Sequence, residues 1–202
     1  MSVDTPFGCL CMLKNVIYGN TGNILEQLRQ AEYGAHYIIV YPDIMTLREI
    51  YSGYIKSQIE DNNKEIVLIL SYYETVANLR NFLLPIHEIS RDLEKYESDG
   101  SLVIIDSVEG FFDLDHPSYV KNLLKQAESL GKSGISVIAD AGAFYHYNKV
   151  EELVKHELSM PSKFDINLKR FCVFHKQDFD RLTEVKKQRL LKHHEKDLIA
   201  VR

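Results

Sequence analysis

The sequence predicts an α/β protein whose mostly parallel sheet is covered by helices on both faces. Short, continuously apolar segments recur along the chain, and segments with the apolar spacing of helices separate them. Strands that are apolar on both faces belong to sheets buried on two sides, and their alternation with helices is typical of parallel connections. With 202 residues, of which 45% are apolar, the chain is long enough for one full core.

Residues 1–35 are predicted to form an N-terminal extension that packs on the core. They contain an apolar stretch around residues 16–18, a GNTGN turn and a short helix, NILEQLRQAEY, that stops before Gly34. Glycine is a favoured residue just past the end of a helix. The principal domain is then expected to span residues 36–202.

The regular alternation of strands and helices begins at residue 36. Five buried strands are predicted, at 36–41, 65–70, 101–106, 134–140 and 169–175. Apolar spacings of three and four predict helices at 44–59, 74–83, 89–96, 117–130 and 149–159, and a last long helix at 178–194.

The charge and composition of the chain argue against nucleic acid and membranes as binding partners. The formal charge of -5, with both signs interspersed, creates no field that would attract nucleic acid. The apolar runs are far shorter than the ~20 residues of a membrane span, so no membrane partner is expected. The three cysteines, Cys9, Cys11 and Cys172, do not repeat as a disulfide framework does. These observations predict a cytoplasmic protein.

The stretch HYIIVYPDIMTLREIY lacks the phosphate loop expected where a nucleotide-binding sheet passes from its first strand into its helix. Such a loop needs several glycines, a lysine and a serine or threonine. Here only Pro42 and Asp43 separate strand from helix. Asp43 is a natural N-cap, and its carboxylate would repel a phosphate at the helix start. The sequence therefore argues against nucleotide binding of that kind.

In open parallel sheets, ligands bind where the chain leaves the carboxyl ends of the strands. Aromatic residues are concentrated there: Tyr41, Tyr72, Tyr73, Phe111, Phe112, Phe144, Tyr145 and Tyr147. Aromatic walls with a few polar groups suit a small, partly apolar organic ligand. The alternative is that the rings fill the space of the missing loop or face another subunit.

Two acidic residues near these strand ends have both a structural and a chemical interpretation. Asp140 ends the strand GISVIAD and could hold a magnesium ion through water, but the DAG sequence favours a turn. Glu74 could act as a general base. With Ser71 three residues before it, however, it is typical of a capping box, which is the favoured interpretation.

Metal and thiol chemistry are not favoured by the sequence. Cys9, Cys11, Cys172, His175 and His36 include zinc-ligand types, but structural zinc sites usually present two spaced pairs. Cys172 lies within an apolar strand, where a cysteine is most often a small core residue. No metal, cofactor or catalytic residue is therefore assigned.

From about residue 23 onward, the chain resembles the MEDS domain, the sensory domain of methanogens and methylotrophs found in the DcmR regulator. The resemblance is carried by an ordered set of segments: GAHYIIVY, EIVLILSYYE, GSLVIIDSVEGFF, GISVIAD, VKHELS, RFCVFHKQDF and LLKHHEKDL. The fourth-strand exit, DAGAF, departs from the acidic residue, methionine and aromatic usual in the family. Phe174 and His175 replace the usual Tyr-Asp ending of the cysteine motif.

The resemblance implies a three-layer core similar to RecA and KaiC, without a phosphate loop, and a role in sensing small organic compounds. Carried over by position, the family-type residues are His36, Tyr41, Glu157, Cys172 and either His193 or His194. With Tyr73 and Asp140 from the strand exits, we expect His36, Tyr41, Tyr73, Asp140, Glu157, Cys172 and His193 to contact the ligand.

The leading hypothesis is a non-catalytic sensory module that binds a small organic molecule and signals through a partner protein; a homo-oligomer is one route for that output. The first alternative is a divergent KaiC-like ATPase that uses Asp140 and Glu74. The second is a purely structural protein-interaction module.

Overall fold

The computed structural model describes residues 16–60, 64–84 and 93–201. Its strands are β1 (Val16–Gly19), β2 (His36–Tyr41), β3 (Glu65–Ser71), β4 (Leu102–Asp106), β5 (Gly134–Asp140), β6 (Leu168–His175) and β7 (Lys196–Ala200). They form one sheet in the order β1-β7-β2-β6-β5-β3-β4, and every pair of neighbours is parallel. The predicted α/β class with a parallel sheet is confirmed.

The helices are α1 (Thr21–Arg29), α2 (Ile44–Glu60), α3 (Val76–Leu83), α4 (Leu93–Ser98), α5 (His116–Ser129), α6 (Gly142–His146), α7 (Val150–Ser159), α8 (Lys176–Arg181) and α9 (Glu184–His193). A π-helical turn, Glu109–Asp113, follows β4. The first half of the helix predicted at 89–96 lies outside the described residues; α4 contains its second half.

Helices cover both faces of the sheet, which makes three layers. On the first face, α1, α2, α3 and α4 bury residues such as Leu28, Tyr51 and Leu83 against the sheet. On the second face, α5, α7, α8 and α9 do the same with residues such as Leu123 and Leu190. β2, β3 and β5 are buried along their whole length, which is why their sequences are apolar without alternation.

Two strands and one helix break were not predicted. β1, from the segment predicted to be an extension, and β7 pair with each other at one side of the sheet, and β7 also pairs with β2. The predicted helix 178–194 is wrong as one element, because the chain is extended at Leu182 and Thr183 between α8 and α9. Leu182 is buried there, and Thr183 caps α9 by accepting from the backbone N–H of Lys186.

Two pairs of neighbouring central strands diverge at the carboxyl edge of the sheet. After β2 and β3 the chain enters helices of the first face, whereas after β5 and β6 it enters helices of the second. β2 lies beside β6, and β3 beside β5, so at both places neighbouring strands send their connections to opposite faces. Such switch points are where open α/β sheets bind ligands.

Candidate functional site

Asp140 lies at the centre of the carboxyl edge, at the end of β5, and is fully buried. Its Oδ1 accepts from the backbone N–H of Gly142 at 2.9 Å. Its Oδ2 accepts from the backbone N–H of Tyr73 at 3.2 Å and from the Tyr41 hydroxyl at 3.5 Å. Burial raises the pKa of Asp140 to about 7, although the backbone donors act in the opposite direction. This carboxyl therefore gains and loses its proton near neutral pH.

Tyr73 connects Asp140 to a second buried carboxyl. While its backbone binds Asp140, its hydroxyl donates to Asp178, a residue of α8 that is 5% exposed. The Tyr73 ring is 39% exposed and lies 5.2 Å, centroid to centroid, from the rings of both Tyr72 and His175. A partly exposed aromatic side chain thus joins two acids at the carboxyl edge of the sheet, which gives this edge both apolar surface and polar groups.

The start of α2 is occupied by a carboxylate, as the sequence predicts. Oδ1 of Asp43 accepts from the backbone N–H of Thr46 at 3.0 Å and from its hydroxyl at 3.3 Å. These contacts take up the donors that would bind a phosphate in a phosphate loop. The carboxyl edge is therefore built without an anion cradle at this helix.

Glu74 has a structural partner, but not the predicted one. The capping box with Ser71 is wrong: α3 begins at Val76, and Thr75 is its N-cap, accepting from the backbone N–H of Asn78 at 3.1 Å. The buried Glu74 carboxylate instead forms an ion pair with Arg48 of α2. A carboxylate held in this way is poorly suited to act as a general base.

A second cluster of predicted site residues lies on the other face of the strands, between the sheet and α7 and α9. His36 begins β2, Cys172 lies in β6, Glu157 lies in α7, and His194 directly follows α9. All four are at most 3% exposed, and one ligand-type atom of each lies within 4.8 Å of those of the others. Nε2 of His36 is 3.6 Å from Sγ of Cys172. Oε2 of Glu157 is 3.7 Å from Nε2 of His36 and 3.3 Å from Nε2 of His194.

Backbone carbonyls orient both imidazole rings of this cluster. Nδ1 of His36 lies 2.9 Å from the carbonyl oxygen of Pro161, and Nδ1 of His194 lies 2.8 Å from that of Leu190. Because a carbonyl only accepts, each Nδ1 carries the proton. In the neutral rings, both Nε2 lone pairs then face Glu157 and Cys172.

Burial and neighbouring charges change the pKa values of the residues in this cluster. Burial lowers the pKa of His36 and raises that of the Cys172 thiol, which the charge of Glu157 raises further. Burial alone would raise the pKa of Glu157, but the hydrogen bonds that His194 and His36 donate from Nε2 when their rings are doubly protonated, with the charge of Arg170, lower it well below its ordinary value. Glu157 is therefore the buried anion of this cluster.

The structure thus divides the seven predicted ligand-contact residues into two groups. Tyr41, Tyr73 and Asp140 meet at the carboxyl edge, whereas His36, Glu157 and Cys172 form the buried cluster. Of the two terminal histidines, His194 is the cluster member. His193 is partly buried; its Nε2 lies 2.9 Å from the carbonyl oxygen of Met160, and its ring is 5.9 Å from that of His36.

Some residues of the two groups were not predicted. Asp178 falls within a strand exit that the sequence marks as important, but its partner Tyr73 is 105 positions away in the sequence. Of the cysteines considered as zinc ligands, Cys9 and Cys11 lie outside the described residues. Cys172 and His36 do approach each other. Glu157 and His194 lie beside them, and sequence spacing alone did not connect these two residues to the pair.

A separate cleft of about 210 Å³ lies at the opposite, amino edge of the sheet. Its lining is strongly polar, with two tyrosines among charged side chains: Gln30, Glu32, Tyr33, Ala35, Tyr37, Lys163, Glu195 and Lys196. The cleft contains none of the seven predicted residues. It differs from the carboxyl edge, where the buried acids and the switch points coincide.

No protein-family model matches this chain, and no curated protein sequence matches it. The resemblance to the MEDS domain therefore stays a prediction. Within the described ranges, no helix combines the length and the apolar composition needed to cross a membrane.

Proposed function

We propose that this protein is a non-catalytic sensory module that binds a small organic molecule at the carboxyl edge of its sheet and signals through a partner protein. The observation that supports this best is the placement of Tyr73, which joins the buried carboxyls of Asp140 and Asp178 at the two switch points. The resemblance to the MEDS domain favours the same function.

The chemistry of this edge favours a ligand that is neutral or cationic. Aromatic rings of Tyr72, Tyr73 and His175 offer flat apolar surface, and two carboxyls offer hydrogen-bonding groups. Because Asp140 takes up a proton near neutral pH, it can either donate to or accept from a bound hydroxyl, amide or amine. A phosphate would meet carboxylates here, including Asp43.

Ligand binding at this edge would change contacts that extend to the protein surface. A ligand that hydrogen-bonds to Asp178 would replace the Tyr73 hydroxyl, which now occupies that carboxylate. Asp178 also pairs with Arg181, whose side chain is 64% exposed, at 3.4 Å. A change at Asp178 would therefore alter the exposed side of α8, where a partner protein could detect it.

A divergent ATPase is the alternative from the enzyme class, and two contacts argue against it. Glu74 is ion-paired with Arg48, and Asp43 caps the start of α2, where a phosphate would bind. Calorimetry with Mg-ATP tests this alternative: binding at or below millimolar nucleotide would support the ATPase over the sensor.

The proposal is tested with a panel of short alcohols, amides, amines and phenols, using ligand-observed NMR on the wild-type protein. We expect at least one compound to bind. Tyr73→Ala should weaken its binding about 3- to 10-fold, because the aromatic wall is lost. Tyr73→Phe should retain binding, since the ring remains and Asp178 is released.

Tyr18→Ala is the matched control, because Tyr18 is 47% exposed but lies on β1 at one end of the sheet. It should bind as the wild type does. A panel without hits, together with a stable oligomer in light scattering, would favour the purely structural interaction module instead.

A further inference from the structure

We propose that His36, Glu157, Cys172 and His194 form a closed site for one divalent transition-metal ion, with zinc as the best fit. This inference goes beyond the sensory function and does not depend on it. It rests on the positions of four ligand-type atoms, on the orientation of two imidazole rings and on the complete burial of the cluster.

Three of the separations between donor atoms are close to those of a tetrahedral zinc site, and all of them are within 4.8 Å. Zinc lies about 2.0–2.1 Å from nitrogen and oxygen ligands and about 2.3 Å from sulfur, and a tetrahedral edge is about 1.6 times these lengths. The expected separations are thus about 3.3 Å between nitrogen and oxygen and about 3.6 Å between nitrogen and sulfur. The structure has 3.3 and 3.7 Å for the former and 3.6 Å for the latter.

The two histidines are held as metal-binding histidines usually are. Metal-ligating imidazoles almost always donate their other N–H to a carbonyl, a carboxylate or water. His36 and His194 both have a backbone carbonyl at Nδ1, which directs the Nε2 lone pair of each towards Glu157 and Cys172. Electron pairs of nitrogen, oxygen and sulfur therefore converge on one buried point, and a cation at that point would stabilise them.

The donor types favour zinc over magnesium or calcium. One thiol, two imidazoles and one carboxylate are the ligands of zinc and of related transition metals, whereas magnesium and calcium prefer oxygen. A divalent ion bound by one thiolate and one carboxylate is also neutral as a unit. This keeps the cost of burying the ion low.

Two further buried charged residues adjoin the cluster. Arg170 is 2% exposed, acts electrostatically on Glu157 and places its Nη2 3.4 Å from Nε2 of His156. Asp197 of β7 is 1% exposed and interacts with His194. Glu157 therefore lies within electrostatic reach of the buried Arg170 cation.

The site would be a structural metal site that links separate elements of the fold. Its four residues come from β2, α7, β6 and the segment after α9, so one ion would tie two neighbouring strands to two helices of the second face. Four protein ligands saturate a tetrahedral ion, which is typical of structural rather than catalytic zinc. Binding energy of such a site contributes to folding stability.

The test uses untagged, chelator-stripped full-length protein, titrated with Zn²⁺ and with Co²⁺. We expect one ion per chain, a rise in melting temperature with Zn²⁺, and the visible and near-ultraviolet bands of tetrahedral cobalt bound to a thiolate. Cys172→Ser should abolish the thiolate band, and His194→Ala should weaken binding at least about 100-fold, more than the loss of a residue outside the ligand set.

His193→Ala is the matched control, because His193 adjoins His194 in sequence but contacts the carbonyl oxygen of Met160 instead. It should retain one ion per chain. If Cys172→Ser or His194→Ala fails to fold, Glu157→Gln replaces it. This change preserves the shape of the side chain, and its ion content is compared with that of the wild type. The proposal is overturned if folded, stripped wild-type protein takes up no ion, or if ion content is equal in wild type, Cys172→Ser and His194→Ala.

Discussion

At the scale of single residues, Asp140 makes the stability of the protein depend on pH. Its pKa is about 7 in the folded chain, against an ordinary value of 3.8, because the carboxyl is buried. The folded state thus keeps a proton that the unfolded chain has released, and stability falls as pH rises from about 4 to about 7. At about 1.4 kcal/mol per unit, the full effect is on the order of 4 kcal/mol.

Asp140→Asn should remove this dependence, since the amide carries no charge at any pH. As pH rises from 4 to 7, the wild type should lose unfolding free energy relative to Asp140→Asn. Urea denaturation at several pH values measures this difference. Asp106, which ends β4 at the same edge but is exposed, is the control, and Asp106→Asn should follow the wild-type profile. Parallel profiles for wild type and Asp140→Asn would contradict the assignment.

Gly142 allows Tyr72 and Tyr73 to lie close to the start of α6. A Cβ atom at this position would lie 2.7 Å from Cε2 of Tyr73 and closer still to the ring of Tyr72. Gly142→Ala should therefore displace the rings, break the contact of Tyr73 with Asp178 and cost about 1–3 kcal/mol. The Tyr73 ring resonances and denaturation curves measure both effects.

Gly22→Ala is the control for this prediction. Gly22 lies in α1, where the nearest atom to an added Cβ is the end of the Asn20 side chain at 3.3 Å. This substitution should be neutral or stabilising by up to about 1 kcal/mol, as alanine favours helix. Equal stability of the two variants would show that the tyrosines do not depend on the glycine.

At the scale of secondary-structure elements, the strand β7 is predicted to be essential although its sequence is only weakly strand-like. It lies between β1 and β2, and Leu198 is completely buried in the core of the first face. Leu198→Ala should lower the free energy of unfolding by about 2–5 kcal/mol, as large-to-small changes in cores do. Val201, 46% exposed, is the control, and Val201→Ala should change stability little. Similar small losses for both would mean that β7 is dispensable.

The sequence predicted the buried elements well and the short ones poorly, for a physical reason. β2, β3 and β5 are apolar because both faces are covered, so their composition alone identifies them. KDLIA carries two charged residues, one of which, Asp197, is buried on the second face, and no local pattern marks that exception. The break before α9 depends on the burial of Leu182, which is likewise a tertiary effect.

At the scale of the whole molecule, the grouping of the site residues depends on strand order. His36 and Cys172 are 136 positions apart, and they meet because β2 lies beside β6 with His36 in register with Arg170. The sequence marks the strand ends and therefore Tyr41, Tyr73 and Asp140 as residues of one edge. It does not give the order of strands, so the separation into an edge site and a buried cluster was not predictable.

The two groups are separate in the molecule. Tyr41 ends β2 and His36 begins it, so they are about 16 Å apart along the strand at 3.3 Å per residue. Ligand binding at the edge and metal binding in the cluster can therefore be measured independently. A compound that binds at the edge should bind with or without zinc in the folded protein.

A crystal structure of the protein with the tightest-binding compound of the panel tests the central claim most directly. We predict that the compound lies against the Tyr73 ring, with a polar atom hydrogen-bonded to Asp140 or Asp178 and the Tyr73 hydroxyl displaced from Asp178. A compound bound elsewhere, such as the cleft beside Tyr37, with the contact between Tyr73 and Asp178 unchanged, would contradict the account.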